Sequence, residues 1–176
     1  MGLIRRCKLK IAVAGALVIL FLVPSASAKR RPEHPYRYSI VDIPVSLAVG
    51  TVRTPEFAPA SHWYWIMIQV EKPLPFLQMN CMMVGPDSSL ESKDCTVNDP
   101  LLRADWTVWN GGHLVSSGTS TTKAGAMYTE KYIFKFLGDF PGEAGKKYVV
   151  EVKFTKGGTP LNVANPHLIV VKVGEE

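Results

Sequence analysis

The chain has 176 residues, with 20 Lys+Arg, 15 Asp+Glu and a formal charge of +5. Four of the cations, Arg5, Arg6, Lys8 and Lys10, stand in its first ten residues, so beyond residue 28 the balance is 16 Lys+Arg against 15 Asp+Glu. A basic surface for nucleic acid or for an anionic membrane is therefore excluded as the organising feature.

Behind the positive cluster, Ile11 to Val23 is an apolar run of 13 residues, broken by Pro24 and followed by the small residues Ala26-Ser27-Ala28. This is the pattern of a signal peptide over residues 1–28. The rival is a membrane anchor. As a helix the run covers only about 20 Å, against a hydrocarbon core of about 30 Å. Cys7 precedes the run, the wrong side for a lipid-modified cysteine at the cleavage point. The expected location is the periplasm or the exterior, with membrane contact only through the leader before cleavage. Residues 29–37 carry Pro32, His34 and Pro35 and read as a flexible N-terminal arm. Residues 38–176 are long enough for a single domain with a sizeable core.

Within that domain the signals are those of strands. Tyr38 to Ile43 and Val45 to Arg53 read as extended, with Pro44 marking an edge strand, a bulge or a crossing between sheets. His62 to Glu71 is the strongest strand. Tyr64, Ile66, Ile68 and Val70 share one face; Trp63, Trp65, Met67 and Gln69 share the other. Both faces are largely apolar, as in a central or doubly covered strand. Leu77 to Val84 is a further strand candidate. Gly85 to Pro100 is polar and loop-like, with one helical turn near Ser88 to Lys93. Asp105 to Val115 reads as a hairpin closed by Asn110-Gly111, and Ser116 to Ala126 as a loop. Two alternating strands follow. Tyr132, Phe134 and Phe136 mark the buried face of one; Tyr148, Val150, Val152 and Phe154 mark that of the other. The Gly138 to Gly145 stretch is expected to turn between them. His167 to Val173 closes the chain. Seven to nine short strands with regular turns predict an all-β, antiparallel β-sandwich, with a β-barrel as the alternative. Tyr148, three residues after Gly145, fits a tyrosine corner, in which the hydroxyl ties back to the backbone and pins a loop between two sheets.

Cys81 and Cys95 remain once the leader is set aside, and export favours a disulfide between them. A closed loop of about 15 residues is worth roughly 3 kcal/mol in the loop-entropy model. Two unpaired thiols are the alternative. Zinc is disfavoured, because two cysteines without a histidine cluster cannot close a structural site.

The second half supports a resemblance. Trp106, the Gly111-Gly112 hairpin ending at Gly118, Phe136-Leu137-Gly138-Asp139-Phe140, the Gly145 to Val152 strand and Asn165-Pro166-His167-Leu168-Ile169-Val170 follow in a characteristic order. Over roughly residues 104–173 this resembles a group of exported bacterial β-sandwich domains of unknown function. The resemblance implies an immunoglobulin-like domain outside the cytoplasm and brings no catalytic residues with it.

The chemistry-bearing motifs are sparse. There is no Gly-x-Ser-x-Gly, no phosphate-binding glycine loop and no His-Glu-x-x-His. The histidines His34, His62, His113 and His167 are far apart in sequence, and no spacing demands a metal site. No catalytic residue, metal or cofactor is expected. The aromatic residues carry the binding hypothesis. An exposed tryptophan row on a sheet is a platform for sugar rings or an anchor for a protein. The core is the expected place for Trp63, Trp65 and Trp106, with Trp63 and Trp65 kept as binding candidates. Trp109, beside the Asn110-Gly111 turn, is the better exposed candidate, and His113 lies across that turn. The expected function is a non-enzymatic exported module binding another protein, of which an immunity-type inhibitor of a secreted toxin is one form. A polysaccharide-binding module is the alternative, and an enzyme with a loop-built site comes third.

Overall fold

The computed structural model describes residues 39–73, 75, 79, 81–83, 102–120 and 126–173. The chain divides into two units, Met1–Glu33 and His34–Glu176, and all the described residues belong to the second. The signal peptide, the arm, the polar stretch at 85–100 and Cys95 lie outside the described residues.

The strands are β1 (Ser39–Pro44), β2 (Gly50–Arg53), β3 (His62–Glu71), β4 (Arg103–Asn110), β5 (His113–Thr119), β6 (Ala126–Tyr128), β7 (Tyr132–Gly142), β8 (Tyr148–Lys156) and β9 (His167–Lys172). Every strand pairing is antiparallel. A five-stranded sheet has the order β1-β9-β3-β7-β6, and a four-stranded sheet the order β2-β8-β4-β5. The two sheets enclose a common core, and the class expected from the sequence, an antiparallel β-sandwich, is what is found. Pro44 marks a crossing: β1 lies in the five-stranded sheet and β2 in the other. β3 is central, as its two apolar faces require.

Four expectations are corrected. Where Leu77 to Val84 was expected as a strand, the described residues 79 and 81–83 are helical, and Met79, Cys81, Met82 and Met83 are buried. Straight-chain methionines are good helix formers and pack readily into an irregular gap. Val45 to Val49 does not join β2, which begins at Gly50. The loop expected from Ser116 begins later, because β5 runs on to Thr119. Finally, the turn expected over Gly138 to Gly145 is confined to its end, at Ala144-Gly145. β7 continues to Gly142, and β8 then enters the other sheet, so the two strands never pair. Pro141 is tolerated in β7 because, among the described residues, the β6 pairing reaches along β7 only as far as Lys135, opposite Ala126, and no strand takes that edge at Pro141.

Gly138 belongs inside the strand because Trp106 lies against it. A β-carbon at Gly138 would sit 2.1 Å from the indole, and one at Gly118 would sit 2.8 Å from it. Trp106 is thus held between its neighbour strand β5 and the opposite sheet. At one end of the core, Phe140 packs 5.6 Å from both Tyr64 and Tyr148, ring to ring. The Tyr148 hydroxyl accepts the Glu143 N–H at 3.2 Å, so the expected tie from the β8 tyrosine to the inter-sheet connection is present.

Candidate functional site

The outer face of the five-stranded sheet carries the most unusual chemistry of the molecule. A sheet face turned away from the core is ordinarily polar. Here Met67, Tyr132, Phe134, Ile169 and Val171 form a second apolar cluster, with Trp65, Met127 and Phe136 packed against it. β3, β7 and β9 supply most of these residues by alternation: the residues between them, such as Ile66, Ile133 and Val170, point into the core between the sheets.

This reverses the sequence reading of β7. Tyr132, Phe134 and Phe136 face outward, while Ile133, Lys135 and Leu137 face the core. Lys135 lies opposite Ile68 and Ala126 and is 0% exposed. Its burial pulls the ammonium pKa down from 10.5 to about 8, since a low-dielectric surrounding disfavours the charged form.

On this outer face a groove of about 280 Å3 is lined by Trp65, Met67, Ala126, Met127, Phe134 and Phe136. Trp65 and Phe136 meet edge to face, with centroids 6.0 Å apart and planes at 87°. Trp63, two residues before Trp65 on the same face, is 54% exposed. Trp63 therefore stands outside the core, Trp65 is half-buried against the second apolar cluster, and Trp106 alone of the three is in the core between the sheets. On the same face, at the far side, His167 Nδ1 lies 2.6 Å from Asp42 Oδ1 and ties the edge strand β1 to β9. Both side chains are about four-fifths buried, and Gln69 stands across from His167 on β3.

The other candidates lie elsewhere. Trp109 is half-buried on the outer face of the four-stranded sheet. The hairpin register pairs it with Leu114, which is 59% exposed, and pairs His113 with Asn110. Successive residues alternate sides, so His113 and Trp109 project from opposite faces and do not form one site. Cys81 is buried in the helical turn; its expected partner is outside the described residues. Among the described residues no group of three or more His, Cys, Asp or Glu is placed to hold a metal ion, and no helix is long and apolar enough to cross a membrane. A larger hollow, about 540 Å3, lies at Glu71, Lys72, Pro73, Glu130 and Lys131. It is a solvated charged rim, with Lys131 3.8 Å from Glu71.

Sequence reasoning missed that Met67 and Phe134 belong to a second buried apolar cluster, with Met127 and Phe136 half-buried at its flank. The available signal was Ile133 and Leu137, which flank Lys135 and make the odd positions of β7 as apolar as the even ones.

No family model matches the chain, and no curated protein matches it. Among solved structures it is similar to a crystal structure of a protein from Sulfurospirillum deleyianum. The identity is 12%, the TM-score is 0.55, and the match covers 77% of this chain and 98% of that one. At that identity the likeness speaks for the fold alone.

Proposed function

We propose that the chain is an exported, non-enzymatic binding module that engages a partner protein through the outer face of its five-stranded sheet. The observation that carries this reading is the lining of the groove, whose six described residues are all apolar, with Met67 and Phe134 buried at its floor and Trp65, Met127 and Phe136 half-buried around it. Tryptophan, methionine and phenylalanine are the residue types enriched where proteins anchor one another. A sugar needs convergent hydrogen-bonding groups and a flat stacking surface. The perpendicular Trp65 and Phe136 rings offer an apolar slot instead, suited to an aliphatic or aromatic side chain. Among the described residues the slot holds no acid, base or nucleophile.

The finer structural reading is an immunoglobulin-like domain with an exchanged last strand. The runs β3-β7-β6 and β8-β4-β5 correspond to the B-E-D and F-C-C′ neighbours of that arrangement. In it the last strand lies beside F. Here β9 lies beside β3, and β2 occupies the place next to β8. The Tyr148 tie supports the same reading. The leader at 1–28 and a Cys81–Cys95 bridge belong to the proposal as the marks of an exported domain.

The test is capture of partners from the native cell envelope by the wild type, Trp65→Ser and Trp109→Ala. One stoichiometric protein lost only with Trp65→Ser is the expected result. Retention on polysaccharide that depends on either tryptophan overturns the reading in favour of a glycan module. Hydrolysis that depends on a single histidine or carboxylate overturns both.

A further inference from the structure

The methionines of this chain are unevenly protected. Those beyond Met1 are Met67, Met79, Met82, Met83 and Met127, and all of them lie among the described residues. Met67, Met79 and Met83 are at most 1% exposed, and Met82 is 9% exposed. Met127 alone is half-buried. It is the middle residue of the three-residue strand β6, at the edge of the five-stranded sheet, and it pairs with Phe134 on β7. Its side chain lines the apolar groove together with Trp65, Met67 and Phe136.

A thioether is the group in such a lining that a mild oxidant can change. With a hydroperoxide, the sulfur lone pair takes up one oxygen. An S–O bond forms and the O–O bond breaks; the sulfide is oxidised to a sulfoxide, and the peroxide is reduced to water or an alcohol as the proton of the transferred oxygen passes to the leaving one. The product is polar where the thioether was apolar and polarizable. Against a partner's apolar side chain, in a groove whose described lining is wholly apolar, the new S–O group has nothing to bond to, and burying it is costly. Met127 keeps some contact with solvent, so its sulfoxide can be hydrated while the groove is free. The cost therefore falls on the bound state rather than on the fold.

We infer, resting on the groove as the proposed binding face, that Met127 is a site of oxidative modification whose sulfoxide weakens the groove's hold on its partner and whose reduction restores it. An exported chain meets peroxides without the reducing cytosol around it. Susceptibility to oxidation follows exposure. With Met67, Met79, Met82 and Met83 withdrawn from solvent, a dilute peroxide reaches the rim of the groove before it reaches the core, and binding responds before the fold is damaged.

The test exposes the full chain, as its native host processes it, to dilute hydrogen peroxide. Peptide mass mapping reads the order in which the methionines gain oxygen, and Met127 is expected first. Titration with the apolar dye anilinonaphthalene sulfonate reads the groove, with Trp65→Ser identifying the dye bound there. Oxidation is expected to raise that Kd roughly tenfold, and a methionine sulfoxide reductase with dithiothreitol to reverse the change. Met127→Leu keeps the apolar bulk without the sulfur and is expected to bind the dye and ignore peroxide. Met127→Gln stands for the sulfoxide and is expected to bind as weakly as the oxidised wild type; should it fail to fold by circular dichroism, Met127→Leu decides. Another methionine oxidised first, or a dye Kd that oxidation of Met127 leaves unchanged, overturns the proposal while the groove stands as a binding face. Dye binding by the wild type that does not depend on Trp65 removes the open groove, and the proposal falls with it.

Discussion

Gly138→Ala is the sharpest perturbation of the sandwich. The new methyl group would lie 2.1 Å from Cε2 of Trp106, 2.2 Å from Cζ2 and 2.5 Å from Nε1. Carbon atoms rest near 3.5 Å or more, so the indole must retreat by more than about 1 Å. It has nowhere to go: on its β5 side the Gly118 β-carbon position is already only 2.8 Å from the ring. Either the sheets part or the indole leaves its slot. Overpacking costs about 1–3 kcal/mol, and losing a buried tryptophan costs about 3–5 kcal/mol. Gly138→Ala is therefore expected to cost about 3 kcal/mol, a large share of a stability of roughly 5–15 kcal/mol. Trp106→Leu removes the atoms that clash. Combined with it, Gly138→Ala is expected to cost about 1 kcal/mol or less. Urea unfolding of the wild type, both single variants and the double variant measures the coupling, expected near 2 kcal/mol. Costs that add within about 0.5 kcal/mol would refute the interlock.

Lys135→Met tests the buried ammonium. The folded-state pKa is about 8, against 10.5 for the free side chain. Between those values the unfolded chain binds the proton and the folded chain does not, so this group makes stability rise with pH from about 8 to 10.5. The variant is expected to lose this rise, on the order of 2–3 kcal/mol between about pH 8 and 10.5, as followed by urea unfolding at stepped pH. Tyr148→Phe leaves the Glu143 N–H without its acceptor and is expected to cost about 1 kcal/mol, read by thermal unfolding. Asp42→Ala removes the 2.6 Å contact to His167 and should speed hydrogen exchange in β1 more than in β3. Intact mass of the protein recovered from its native host checks the proposed export and bridge: cleavage after residue 28 and a mass two hydrogens below the dithiol are expected. Two free thiols by alkylation would remove the bridge from the account.

The layering was legible where one face of a strand is clearly apolar. β8 carries its inward residues, Tyr148, Val150, Val152 and Phe154, at the expected positions, and Tyr148 could be singled out from its place after a glycine. β7 was not legible, because Tyr132, Phe134 and Phe136 outweigh Ile133 and Leu137 in bulk and Lys135 sits among the inward set. Alternation fixes which residues share a face; it does not say which face is inside when both are apolar. The same ambiguity placed Trp63 and Trp65 in the core. Gly138 and Pro141 read as turn residues because their reasons for being in a strand are distant in sequence. Trp106 needs the space at Gly138, and the β6 edge stops short of Pro141. The short run around Cys81 is apolar without periodicity, so helix and strand were not separable there.

The claim at the centre of the account is that the groove at Trp65, Met67, Met127 and Phe136 meets a partner's side chain. A photo-cross-linking amino acid in place of Met127, compared in the native envelope with one in place of Trp109, tests it directly. A single protein adduct from position 127, absent from position 109, is the expected result. Adducts from position 109 alone, or none from position 127 in the folded protein, would contradict it.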